Sequence, residues 1–344
     1  MNPHADRLNN FDFLRILAAS LVLFSHQFAL TGSQDPVFLG DSVGNIGVLI
    51  FFSISGFLVA QSWRNDPNWF RFVAKRLLRI WPGLALATLL AACVLGPLVS
   101  TRAVHAYFAD ALFPEFLQNL KLMSIRYYLP GVFETNLYPK AVNGSLWTIP
   151  LEIRCYMVLS LLGLVGALKR RWIVLPLALA FAGYYFFVLR EPANYQYQFA
   201  VFFLYGVALD AFRETWQARP WWLVGPVLAG ALLLSLLGQD IAALALAVPA
   251  LVATVGTAST PVLRRFGRFG DLSYGIYIYA FPVQQSFVWA GGAALPFAVG
   301  LVIVMAATAA LAWLSWHAVE GPALSFKPRR RSKLDAGAPP ASTT

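Results

Sequence analysis

The stretch FDFLRILAASLVLFSHQFALT, residues 11–31, is the first of a series that decides the fold. At 1.5 Å per residue a helix of this length covers roughly 30 Å, the thickness of a bilayer's hydrocarbon core. Similar apolar runs follow at 43–63, 77–99, 145–167, 172–190, 197–212, 221–238, 240–258, 272–290 and 294–317. The chain therefore reads as all-α, a polytopic transmembrane helical bundle of about ten helices. Its composition agrees, with 58% apolar residues and only 12% charged, where a soluble globular domain carries about a quarter charged.

The net charge of +10 would suggest nucleic acid in a soluble protein, but the placement of the charge argues otherwise. With the N-terminus inside, nineteen of the 26 lysines and arginines fall in cytoplasmic segments, among them Arg64, Arg71, Lys75, Arg76 and Arg79. Five fall on the opposite side, and Arg15 and Arg154 lie within helices. This is the positive-inside asymmetry of a multi-pass membrane protein. An even number of spans returns the C-terminus to the cytoplasm, and no nucleic-acid partner is expected. The two cysteines, Cys93 and Cys155, both fall inside predicted helices, so neither a disulfide framework nor a metal site is expected. The first run carries Arg15 and His26 and lacks a small-residue cleavage site, so it is expected to stay as a membrane anchor.

One membrane domain is expected over 1–326. Within it, the segment 100–144 is too polar and too often interrupted by proline to span, and topology puts it outside, where it can cover a site or touch a partner. The tail 327–344, KPRRRSKLDAGAPPASTT, is basic and then small and proline-rich. It is expected to be disordered and to sit at the anionic inner leaflet.

A charge inside a bilayer costs roughly 2.5–3.5 kcal/mol, so intramembrane ionisable groups mark function. They concentrate in the first half: Asp12, Arg15 and His26 in the first helix, Glu152 and Arg154 in the fourth. Arg15 and His26 share a helix face and lie ~16 Å apart along the axis. Glu152, about 10 Å below the Asn143-Gly144-Ser145 start of its helix, matches the depth of His26 and is placed to orient the imidazole as a general base. Simpler readings stand beside these. Arg15 snorkels to the inner headgroups, His26 is a packing histidine, and Glu152 pairs with Arg154 or Arg79. The basic run Arg64 to Arg79 either holds phosphates or only sets topology. In FFSISGF, 51–57, the small polar residues read as helix packing.

Taken together, FDFLRILAASLVLFSH, FFSISGFL, KRLLRIWP, NGSLWTIPLEIRCY, LSYGIYIYAFP and VEGP occur in the order found in the membrane-bound acyltransferase 3 family, and the chain resembles that family over residues 10–322. The resemblance implies transfer of an acyl group, most simply acetyl, from cytoplasmic acyl-CoA to a hydroxyl of an exported or lipid-linked cell-surface carbohydrate, in the bacterial cytoplasmic (inner) membrane and without a metal. Carried over by motif, His26 is the base, Arg15 a donor-binding group and Glu152 a supporting catalytic residue. Arg76 and Arg79, with Lys75 beside them, are phosphate contacts for the acyl-CoA. The sequence departs from the family at Ala280, where many members have histidine, and it lacks the extracytoplasmic hydrolase-like domain fused to some relatives. Transfer is then either direct or through a partner, such as a polysaccharide assembly or export system or a separate extracytoplasmic acyltransferase. The competing reading is a proton-coupled transporter or flippase with His26 and Glu152 as the relay. The absence of matching charges in the second half argues against it.

Overall fold

A computed structural model describes residues 9–189 and 195–328. Ten helices of 16 to 31 residues form the bundle among the described residues: α1 Phe11–Leu30, α2 Val43–Asn65, α3 Trp69–Val99, α4 Gly144–Leu164, α5 Arg171–Leu189, α6 Tyr195–Ala211, α7 Trp221–Leu236, α8 Asp240–Thr257, α9 Ser273–Trp289 and α10 Phe297–Ser325. Seven of these are long and apolar enough to cross a membrane. The other three, α6, α7 and α9, are 17, 16 and 17 residues long. The only ladder among the described residues is a two-residue antiparallel pair, Val37–Phe38 with Asp41–Ser42. Residues 329–344, most of the tail, lie outside the described residues.

The expected boundaries hold within a few residues except at α10, which runs on to Ser325 and not to 317, and at α3, which starts at Trp69 and not at 77. Asn68 caps it, its side chain accepting from the Arg71 amide at 3.0 Å. Apolarity alone hid this start, because the first three turns are basic. Arg71, Lys75 and Arg76 are therefore helical residues, continuous with Arg79, and not a connecting loop, which fixes where each charged group points.

Helix α2 is the centre of the bundle, with two-thirds of its most apolar window buried, whereas α5 and α10 are mostly exposed and form the apolar rim. Apolar helices gain little from burying one another in lipid, so close backbone approach has to hold them. Gly56 and Gly206 supply it where α2 crosses α6. A Cβ on Gly56 would lie 1.9 Å from the Phe203 carbonyl oxygen, and one on Gly206 would lie 2.5 Å from that of Ser53.

The start of α1, the end of α2 and the starts of α3 and α9 share one end of the bundle, tied by Arg15–Asp271 at 3.3 Å, Arg79–Asp271 at 2.6 Å and Arg64–Asp210 at 2.5 Å. The segment 100–143 lies at the opposite end and is well folded. It buries Tyr107, Phe116, Val132 and Phe133 against Ala92 and Val99 of α3, and the Tyr107 hydroxyl donates to the Ala92 carbonyl at 2.7 Å. Its far half is fastened to α9: Asn136 donates to Gln285 Oε1 at 2.8 Å, and Gln285 in turn donates to the carbonyls of Tyr138 and Ala141 at 2.8 and 2.7 Å.

Candidate active site

Two cavities meet at the basic end. A vestibule of about 350 Å³ is lined by Asp12, Gln61, Asp271 and Trp316, among others. Above it lies an inner chamber of about 110 Å³. Both are lined by Arg15, Leu58, Arg76 and Arg79, which form the neck between them.

Each arginine is held differently. Arg15 donates to Asp12 at 2.7 Å and to Asp271 at 3.3 Å. Arg79 donates to the same Asp271 oxygen at 2.6 Å and stacks over Tyr274. Ser273 fixes the other Asp271 oxygen at 2.6 Å. Arg76 makes no carboxylate ion pair among the described residues. It lies over the rings of Phe72 and Tyr156, and its Nε is buried with no hydrogen-bond partner. Leaving a buried N–H unmade costs about 1–3 kcal/mol, so this atom is suited to an anion or carbonyl oxygen brought in by a ligand. Lys75 is elsewhere. It joins Arg71 on Asp66, at 2.6 Å each, and lines neither cavity. Hydrogen bonds from Arg71 first and then Lys75 hold the Asp66 carboxyl down at about 2. The expectation that Lys75 acts beside Arg76 is not supported by its geometry, because the ~100° turn between neighbouring helical residues puts Arg76 on the cavity face and Lys75 on the face paired with Asp66.

The chamber itself carries Glu152. Its Oε1 accepts from Ser55 Oγ at 3.2 Å and from the Tyr156 hydroxyl one turn along α4. Thr148 and Tyr277 line the same space and are joined hydroxyl to hydroxyl at 2.7 Å. Neither Arg154 nor Arg79 is ion-paired with Glu152, since Arg154 turns outward to Gln196 at 3.4 Å and Arg79 pairs with Asp271 at 2.6 Å.

His26 is not in the chamber. It packs edge-on against Phe281 of α9 at 5.2 Å, with a buried and unpartnered Nδ1. The expected Glu152–His26 contact is therefore replaced by Glu152–Tyr156 and Glu152–Ser55. The first turns of α4, Gly144–Thr148, are 3₁₀, which rises about 2.0 Å per residue and carries Glu152 ~14 Å along the axis, deeper than α-helical spacing predicts. Phe281 also packs on Gly144, where a Cβ would lie 2.4 Å from the ring, and against Tyr138 of the folded segment. Ala280, the departure from the family pattern, is fully buried with Leu23 and Val304. Sequence reasoning missed the contribution of the second half, where Asp271, Tyr274 and Tyr277 complete the site. The motif LSYGIYIYAFP contained that signal, with tyrosines at helical spacing in an otherwise apolar run.

A family model described as an acyltransferase domain matches residues 8–317. The chain is 28% identical over 326 residues to an O-acetyl transferase of Shigella phage Sf6, covering 91% of this chain and 95% of that protein. It is also 28% identical over 367 residues to Nodulation protein 10 of Rhizobium leguminosarum bv. viciae, covering 95% and 96%. A shorter match, 26% over 190 residues, is to Regulator of hypoxia-inducible factor 1 of Caenorhabditis elegans, covering 46% of this chain and 34% of that protein. No solved structure matches the chain. With a match from the start of α1 into α10, over a bundle of membrane-spanning helices, the chain belongs to the acyltransferase 3 family and is a multi-pass membrane acyltransferase.

Proposed function

We propose that the protein moves an acyl group, most simply acetyl, from cytoplasmic acyl-CoA to a hydroxyl of an exported or lipid-linked carbohydrate, as a bacterial inner-membrane enzyme with both termini in the cytoplasm. The observation that carries this reading is the continuity of vestibule and chamber through the arginine neck. A long anionic donor enters at the basic end, leaves its phosphates among Arg15, Arg76 and Arg79, and extends its thioester arm toward Glu152. The residues fit such a donor, because Arg76 offers an unused buried N–H while Asp271 keeps the other two guanidiniums aligned. A thioester is already activated, so the enzyme has to orient it, accept a proton and stabilise the developing oxyanion. Glu152, the carboxylate that lines the chamber, is the proton acceptor. His26, at the other end, engages the acceptor under the folded segment 100–143. The O-acetyl transferase relative supports acetyl as the group moved.

The test is release of free CoA thiol by the purified protein from acetyl-CoA, with and without cell-envelope carbohydrate. Carbohydrate-dependent release that weakens in Arg76→Ala is expected, and a transporter would release none. Absence of release with every acyl-CoA offered would overturn the reading.

A further inference from the structure

The chamber is small. At about 110 Å³ it is below the roughly 150 Å³ of an engineered cavity that holds one benzene. The chamber alone, apart from the vestibule it opens to, does not hold a thioester end and a sugar ring side by side, a geometry that fits donor and acceptor using it in turn. In such a sequence the acyl group waits on the protein.

The side chain on which it can wait is Ser55. Its hydroxyl faces the chamber and donates to Glu152 Oε1 at 3.2 Å, while Tyr156 holds the same oxygen and lies 3.5 Å from Ser55 Oγ. Nucleophile, base and a third group orienting the base are the three parts of an activated serine. Ser53, two residues away on α2, shows the alternative. It is buried and its hydroxyl is used up on the Leu49 carbonyl at 2.8 Å.

Resting on the acyl-CoA reading above, we infer that Ser55 is a covalent acyl carrier and that the enzyme works by a two-stage, ping-pong route. In the first stage Ser55 Oγ attacks the thioester carbonyl carbon and its proton passes to Glu152. The C–S bond then breaks, and the departing thiolate takes that proton and leaves as free coenzyme A. In the second stage the acceptor hydroxyl, held at the His26 end, attacks the Ser55 ester and gives its proton to Glu152. The C–Oγ bond breaks, Glu152 returns the proton to Ser55, and the acylated carbohydrate leaves. His26 is needed only in the second stage.

The experiment is a rapid quench of the full-length protein in detergent with radiolabelled acetyl-CoA, followed by peptide mapping and CoA thiol assay. Wild type should show a transient acetyl ester on the peptide carrying Ser55, and His26→Ala should accumulate it. Ser55→Ala should carry no label and lose at least ~10²-fold in transfer. Ser55→Cys should carry label cleaved by neutral hydroxylamine, as a thioester is and an oxygen ester is not, a signature that a merely structural serine cannot give. CoA release with transfer but no Ser55 label in His26→Ala, or full transfer by Ser55→Ala, would overturn the carrier and leave the acyltransferase reading standing. No CoA release from wild type would overturn both.

Discussion

The two polar ends of this bundle are built on opposite principles. At the basic end, charges converge from α1, α3, α4 and the residues just before α9: two of three guanidiniums share Asp271, and Glu152 is gripped by two hydroxyls. At the other end His26 leans on an aromatic ring, and its surroundings are tied by neutral amides, with Gln284 donating to the Leu23 carbonyl and Gln27 at 2.9 and 3.0 Å. A site of paired charges grips an anion and manages protons. A site of amides and rings suits an uncharged polyol. The comparison thus divides donor from acceptor along one α-helix, with Arg15 and His26 ~16 Å apart.

The largest expected effect comes from removing the base of the donor side. Glu152→Gln keeps the size and the bonds to Ser55 and Tyr156, yet transfer should fall ~10²–10⁴-fold. Unchanged turnover would move the proton chemistry away from the chamber. Next, Arg76→Ala should raise KM for acetyl-CoA at least ~10-fold, the loss of a charge-assisted contact of ~1.5–3 kcal/mol, while Lys75→Ala, on the neighbouring residue but paired with Asp66 outside both cavities, leaves KM as it was. Equal effects from both would show that bulk positive charge, and not a placed guanidinium, binds the donor.

A third substitution probes the acceptor side alone. In Gly144→Ala the new Cβ meets the Phe281 ring at 2.4 Å and pushes the ring on which His26 packs. Transfer should drop ~10-fold with acetyl-CoA binding unaffected. A parallel loss of donor affinity would mean that the two ends are not separable.

The smallest effect lies outside the membrane spans. Asp66 has its carboxyl lowered from 3.8 to about 2 by Arg71 and Lys75. A lowered folded value stabilises above the unfolded one, so this contribution is complete above pH ~4 and is lost as pH falls toward about 2. Discounted for screening by water, it is on the order of 1 kcal/mol. Asp66→Asn should melt slightly lower at pH 7 and flatten the acid limb of the melting curve. An unchanged limb would assign the acid sensitivity to other carboxylates.

Much of this was legible in the sequence. Helix spans follow from run length alone, because the bilayer fixes how long an apolar segment must be. Arg15 and Glu152 are conspicuous for the same reason, as charges where charge is costly, whereas Arg76 belongs to a basic run on the cytoplasmic side and is singled out only by the family motif KRLLRIWP. The basic start of α3 escaped, since a helix that begins in charged residues looks like a loop to hydropathy until Asn68 is read as its cap. The partner of Glu152 escaped too. An α-helical rise of 1.5 Å per residue understates the depth of a residue that follows a 3₁₀ segment, and no periodicity shows that Ser55, and not Ser53, turns its hydroxyl to a cavity. Asp271 sits at a helix end, where charge is ordinary, and only the fold brings it between Arg15 and Arg79.

The division of the bundle into donor and acceptor ends is tested most directly by measuring two quantities on the same membranes, wild type and His26→Ala: binding of acetyl-CoA, and incorporation of its radiolabelled acetyl into cell-envelope carbohydrate. The account predicts wild-type affinity for acetyl-CoA and no labelled carbohydrate in the variant. Labelled carbohydrate at the wild-type level, or loss of acetyl-CoA binding with the histidine, would contradict it.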